Sequence, residues 1–207
     1  MKGDSKRIGL FGGMFDPIHN GHLAIAQVVL QSLSLHEIIF IPCGSPVHKN
    51  EEGSVPIEKR VHMVSLAIKK NPHYKLSTIE VKKNKISFTI DTVKYFLKQY
   101  HYKDLFFIIG SDSLYELYTW KEIDLLVSLC QFVVVLRKGF PIKSLQSSPI
   151  RLKETTFKKC IANSIEIEPI EISSTMIRNY RLEGKTITGL VPKEVEEYIV
   201  NEDLYHN

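Results

Sequence analysis

Residues 8–22 read IGLFGGMFDPIHNGH: a short apolar run, a glycine pair, and two histidines three apart where a helical pattern opens. This succession of buried strand, glycine turn and helix start constrains the fold more than any other stretch. Glycines let a backbone come close to a ligand. A helix N-terminus presents unpaired N–H groups and the positive end of a dipole, which together favour phosphate. His19 and His22 add hydrogen-bonding groups whose charge can change near neutral pH. A loop built this way suits nucleotide phosphate chemistry.

The rest of the chain repeats the alternation of apolar runs and helical patterns. Strands are expected at Arg7–Phe11, Glu37–Ile41, Lys75–Val81, Leu105–Ile109, Gln131–Leu136 and Ile165–Ile167. Helices are expected at Gly21–Leu33, Ile57–Lys69, Thr89–Gln99 (capped by Thr89 or Ser87), Ser113–Leu117, Glu122–Leu129, Ser174–Leu182 and Pro192–Asn201. LFFII and QFVVVL are near-continuous apolar runs, as in strands covered on both faces. The pattern predicts an α/β fold: a parallel sheet with helices on both faces. Ligands in such sheets sit at the carboxyl ends of the strands, where the glycine loop also falls. The stretch Phe140–Asn163 is polar and poorly patterned, a surface excursion with a helix in it.

The 207 residues suffice for one domain with a sizeable core. A single domain over 1–207 is therefore expected, its C-terminal helical part running from about 172 to 207. A net charge of +4, with short and scattered basic clusters, is compatible with a polyanionic small substrate and gives no reason to expect nucleic acid. Cys43, Cys130 and Cys160 are widely spaced, with no CxxC pair, so neither a disulfide framework nor a structural zinc is expected, and Cys130 reads as core. The N-terminal apolar run is broken by Gly12-Gly13 and Asp16 and reads as neither a signal peptide nor a membrane span. The expected compartment is the cytoplasm, with no membrane partner.

Taken alone, several candidate residues keep a bland reading. His19 and His22 suit capping, packing, a partial zinc site or phosphate contact. The loop Pro46-Val47-His48-Lys49 suits plain exposure. Asp112 after Gly110 suits a helix cap, the lone Trp120 suits core packing, and Arg178 one turn into a helix at Ser174 suits the surface.

GGMFDPIHNGH resembles the GG(S/T)FDPIHxGH signature of the HxGH nucleotidyltransferase superfamily, and ISSTMIR at 172–178 resembles its ISSTxIR. The order is right and the spacing is about 150 residues. Over nearly its whole length the chain resembles the bacterial nicotinate-nucleotide adenylyltransferases. That resemblance implies a Rossmann-like fold and the joining of ATP to nicotinate mononucleotide, giving deamido-NAD and pyrophosphate, with Mg2+ arriving on ATP. It implies that His22, His19, Arg178 and Lys49 serve catalysis. Gly12, Gly13, Met14, Gly21, Gly110, Asp112, Ser174 and Thr175 would contact ATP. His48 and Lys49 come from PVHK, similar to the family's PPHK. SFTIDT at 87–92 resembles SYTIDT and places Thr89 near the mononucleotide, with Trp120 stacking on the pyridine and Arg137 near its phosphate. Met14 departs from the family Ser or Thr and cannot donate that side-chain hydrogen bond. A sister adenylyltransferase using nicotinamide mononucleotide or phosphopantetheine, and a non-catalytic nucleotide-binding regulator, are the competing readings.

Overall fold

The computed structural model describes residues 6–44, 54–81, 87–100, 104–137, 152–168 and 170–206, without the side chains of Tyr100 and Arg137. Strands β1 (Arg7–Gly13), β2 (Glu37–Pro42), β3 (Tyr74–Leu76), β4 (Asp104–Gly110), β5 (Gln131–Arg137) and β6 (Ile165–Ile167) form one sheet, in the order β3-β2-β1-β4-β5-β6. The pairs β1·β4, β4·β5 and β5·β6 are parallel, with Ile8 opposite Leu105 and Ile108 opposite Val133. Helices are α1 (Asn20–Ser32), α2 (Ile57–Ile68), α3 (Thr89–Tyr100), α4 (Ile123–Leu129), α5 (Glu154–Ile161), α6 (Ser174–Leu182) and α7 (Lys193–Asn201). Two 3-10 turns, Ser111–Tyr115 and Leu117–Thr119, follow β4.

The chain divides into two compact units. The first comprises 1–11, 28–38 and 88–169. Its core is β4 and β5: Leu105 to Ile109 and Phe132 to Val135 are all 5 % exposed or less, so both faces are covered as the apolar runs predict. Burying each such side chain stabilises by about 1.5–3 kcal/mol. Gly9 is fixed by packing, since a Cβ there would lie 2.9 Å from Leu35 Cδ1. Cys130 is core, as expected, and all three cysteines are free.

The second unit comprises 12–27, 39–87 and 170–207. In α2 the buried residues are Arg60, Met63, Val64 and Ile68, a helical stripe with one charge on it. Asn20 ties the start of α1 to the turn before α7, its N–H donating to Leu190 O at 2.9 Å and its Nδ2 to Gly189 O at 2.8 Å.

Four expectations need correction. The strand expected over Lys75–Val81 is only Tyr74–Leu76. Ser77 Oγ accepts the Ile79 N–H, and Val81 N–H bonds back to Thr78 O, so local turn bonds replace the ladder. The helix expected over Ser113–Leu117 is the pair of 3-10 turns, where Thr119 Oγ1 donates to Glu116 O at 2.7 Å. Neither Ser87 nor Thr89 caps α3. Ser87 Oγ donates to Glu80 O, and the Phe88 carbonyl takes the first helical N–H groups, so Phe88 holds the cap position. Pro192 stands at the cap of α7 rather than inside its first turn. The excursion at 140–163 does contain a helix, α5, although residues 138–151 lie outside the described residues.

Candidate active site

The loop leaving β1 is shaped by aromatic rings. Phe15 adopts φ 49, a left-handed conformation that is strained for a bulky residue. Such strain costs about 1–3 kcal/mol and persists only where surroundings over-determine it. Here the ring is 2 % exposed, 5.9 Å from Phe40 and edge-on to His22 at 5.0 Å. A Cβ on Gly13 would stand 3.1 Å from that ring, and one on Gly21 would stand 2.9 Å from His19 Nδ1. The groups that need close approach at Gly13 and Gly21 are therefore the Phe15 and His19 rings. Gly12 and Gly13 end β1, and the Gly13 carbonyl accepts Cys43 N–H at 2.9 Å.

The two histidines stack, ring centroids 3.7 Å apart at 29°. His22 Nδ1 accepts the backbone N–H of His19 at 3.2 Å. A neutral His22 therefore carries its proton on Nε2 and presents that nitrogen as a donor. Burial lowers His19 to about 4, and burial together with the neighbouring His19 holds His22 well below the usual histidine range. The charge change expected near pH 7 is thus displaced: both rings are neutral there, because desolvation disfavours the cation. His19 Nδ1 is buried with no hydrogen-bond partner among the described residues. An unsatisfied buried polar atom costs ~1–3 kcal/mol, which a ligand hydrogen bond would offset.

Helix α6 brings the second signature onto this loop. Ser173 caps it, its Oγ accepting Met176 N–H at 3.1 Å. Ser174 Oγ donates to Pro17 O at 2.9 Å across 157 residues of sequence. Arg178 Nη1 donates to Asp16 O at 2.9 Å and Nη2 to Thr175 Oγ1 at 3.4 Å. His19, His22, Ser174, Thr175 and Arg178 therefore belong to one assembly. Its α1 and α6 N-termini supply N–H groups, and Arg178 supplies a permanent positive charge.

In the first unit, Gly110 ends β4 and exposed Asp112 follows in the 3-10 turn. The Asp112 carboxylate folds back over Gly110, where any Cβ would collide with it. Half-buried Trp120 stands edge-on to Phe107 at 5.9 Å and tilted to Phe132 at 6.1 Å. Lys121 Nζ lies 4.5 Å from the Phe88 ring centroid, and Lys94 pairs with Glu122 at 3.2 Å. These contacts bring the start of α3, at Thr89, beside the Trp120 segment. Arg137 is the last residue of β5, its side chain outside the description; His48 and Lys49 also lie outside the described residues.

A family model described as Cytidylyltransferase-like matches residues 10–180. The chain is 39% identical to the nicotinate-nucleotide adenylyltransferase of Bacillus subtilis over 98% of its length and 100% of that protein. The chain belongs to the nicotinate-nucleotide adenylyltransferase family. A Clostridium acetobutylicum protein described as "probable nicotinate-nucleotide adenylyltransferase" is 41% identical, covering 97% of this chain and 99% of that one. Among solved structures, the Plasmodium falciparum nicotinic acid mononucleotide adenylyltransferase complexed with NaAD aligns with TM-score 0.74 at 21% identity, covering 97% of each chain. The same enzyme complexed with APC gives 0.73. At that identity the likeness concerns the fold, and it agrees with the Rossmann-like expectation.

Three residues of this family member were not singled out by the sequence: Asp16, Arg60 and Tyr205. Each is buried: Asp16 lies within the glycine loop, and Arg60 and Tyr205 bond to that loop at Met14 O and at the Asp16 carboxylate. Arg60 did carry a signal, being a charge at the helical spacing of Val64 and Ile68. Thiol chemistry is disfavoured, since burial pushes Cys43 and Cys130 up to about 12 and Cys160 to about 11, leaving all three protonated near neutrality.

Proposed function

We propose that this chain transfers the adenylyl group of ATP to nicotinate mononucleotide. A phosphate oxygen of the mononucleotide attacks the α-phosphorus in line. The new O–P bond forms as the bond to the β,γ-pyrophosphate breaks, giving deamido-NAD and pyrophosphate. The observation that carries this reading is the joined assembly of stacked His19 and His22 with Ser174 and Arg178 anchored on the same loop. His22 Nε2 is suited to donate to the phosphates, with His19, Arg178 and Lys49 sharing the developing charge. Catalysis of this kind is positioning plus electrostatic stabilisation, and it needs no protein nucleophile.

ATP would contact Gly12, Gly13, Met14 and Gly21 of the loop, Ser174 and Thr175 of α6, and Gly110 and Asp112 after β4. The mononucleotide would contact His48, Thr89, Trp120 and Arg137. Mg2+ enters as part of the MgATP substrate; among the described residues no group of three or more His, Cys, Asp or Glu could hold a metal. Residues 1–207 would act as one nucleotidyltransferase domain. Among the described residues no helix is long and apolar enough to cross a membrane, and three free cysteines suit a reducing cytoplasm.

Pyrophosphate release from MgATP with nicotinate mononucleotide, nicotinamide mononucleotide or phosphopantetheine as acceptor tests the reading. Nicotinate mononucleotide should be preferred over the amide by about tenfold or more in kcat/KM. The N–H groups at the start of α3 suit an anion, and a carboxamide leaves donors facing donors. Equal constants would indicate dual specificity. Absence of turnover with every acceptor would leave the regulator reading.

Trp120→Ala should raise KM for the mononucleotide roughly 2- to 12-fold, the equivalent of ~0.5–1.5 kcal/mol of ring stacking, and leave KM for ATP unchanged. Equal losses for both substrates would assign Trp120 to core packing on Phe107 and Phe132.

A further inference from the structure

A buried ionic network lies beneath the glycine loop. Arg60, 3 % exposed, spreads its guanidinium over four carbonyls. Nη1 donates to Met14 O at 2.7 Å and Cys43 O at 2.9 Å, Nη2 to Gly44 O at 3.1 Å, and Nε to Val55 O at 3.4 Å. Asp16, 1 % exposed, is its charge partner. Asp16 Oδ1 accepts the Tyr205 hydroxyl at 2.6 Å and Val55 N–H at 3.5 Å, while Oδ2 has no hydrogen-bond partner among the described residues. With so few donors on a buried carboxylate, the Tyr205 hydroxyl matters. Burial, reinforced by Asp16, raises Tyr205 far above the usual tyrosine range, so it stays protonated and donates.

The backbone is strained at both ends of this contact. Phe15, beside Asp16, has φ 49 and Tyr205 has φ 59. Strain of this kind is retained where surrounding bonds over-determine it, and it clusters at functional sites. The segment after α7 is itself tied down: Leu204 N–H bonds to Ile199 O at 2.9 Å, and Arg181 Nε donates to Leu204 O at 3.4 Å. The loop is therefore gripped at two carbonyls and one carboxylate: Met14 O by Arg60, Asp16 O by Arg178, and the Asp16 side chain by Tyr205.

The geometry points to Tyr205 and Arg60 as positioning residues that hold residues 14–16 in the conformation the triphosphate requires, Tyr205 through Asp16 and Arg60 through the Met14 carbonyl. This rests on the reading that the 12–22 loop binds ATP phosphates. Neither side chain needs to touch the substrate, so both act on ATP affinity and not on the acceptor.

Tyr205→Phe keeps the buried ring and removes only the hydroxyl. The dissociation constant for MgATP by equilibrium titration, and KM for ATP, should each rise about ten- to hundredfold, the scale of one hydrogen bond to a charged group. KM for the mononucleotide should stay within about twofold. Arg60→Lys keeps the charge but cannot span the carbonyls, and should act in the same direction. Asp16→Ala, which removes the acceptor, combined with Tyr205→Phe should raise the constant by less than the product of the single effects, because both act through one hydrogen bond. A lower melting temperature with unchanged ATP constants would overturn the proposal and leave a structural network. So would multiplicative effects in the cycle. If Arg60→Lys fails to fold, Tyr205→Phe and the cycle decide alone. A wild-type protein that fails to bind MgATP would overturn the ATP reading and this inference with it; a wild type that binds, alongside a Tyr205→Phe variant that binds equally, would overturn the inference only.

Discussion

His22→Ala is expected to yield a folded protein that turns over about a hundredfold more slowly, the ~3 kcal/mol lost when one preorganised transition-state donor is removed. The expectation follows from the ring's setting. His19 N–H occupies Nδ1, which leaves Nε2 as the donor, and Phe15 and His19 hold the ring on two sides. The donor is thus fixed before substrate arrives, so little reorganisation is needed at the moment of reaction. Burial keeps the ring neutral, so His22 would meet the phosphates as an uncharged donor. Single-turnover rates on variant protein with a normal melting profile measure the loss, and near wild-type rates would remove His22 from the mechanism. Histidine ring resonances of the free protein give an independent check. His19, lowered to about 4, should show no titration between pH 5.5 and 7.5. A midpoint near 6.5 would mean that the stack opens to water. The sign for stability follows: between pH 6.5 and 4 the unfolded chain binds the His19 proton and the folded one does not, so stability falls as pH falls through that window.

The sequence made the strands other than β3, and the signature segments, legible because their signals are local. LFFII and QFVVVL announce doubly covered strands by composition alone, and β4 and β5 follow them to within a residue at each end. The joining of His19 with Ser174 and Arg178 was legible only through two motifs about 150 residues apart that share a known pattern. The supporting network was not legible. Tyr205 meets Asp16 across 189 residues, and nothing in either local sequence announces the other. The same holds for the room that Gly21 leaves for the His19 ring, which no local pattern announces. Side-chain packing within a loop leaves no periodicity to read. The α3 cap was misread for a related reason: Ser87 and Thr89 are both good caps by type, but Ser87 spends its hydroxyl on Glu80 O and Phe88 occupies the position.

Arg178→Ala should lower kcat/KM for MgATP by about a hundredfold or more, with KM for the mononucleotide nearly unchanged. Two losses combine. The guanidinium is the α6 cation that bonds to the loop, and charge-assisted bonds to phosphate are roughly twice as strong as neutral ones. It also donates to Asp16 O and Thr175 Oγ1, so its removal frees the loop from α6 on one side. A hydrogen bond to a charged group contributes ~1.5–3 kcal/mol, so the two losses together reach the expected effect. Arg178→Lys separates the two losses. Lysine restores the charge, but a compact ammonium cannot donate to Asp16 O and Thr175 Oγ1 while also meeting a phosphate as the planar fork can. It should recover no more than about a tenth of the lost rate. Full recovery by lysine would mean that charge alone matters and that the Asp16 contact is incidental. A fall in mononucleotide affinity equal to the fall in ATP affinity would place Arg178 on the acceptor phosphate instead. If Arg178→Ala kept wild-type ATP constants, α6 would be a capped structural helix and the stacked histidines would stand as the loop's only phosphate ligands among the described residues.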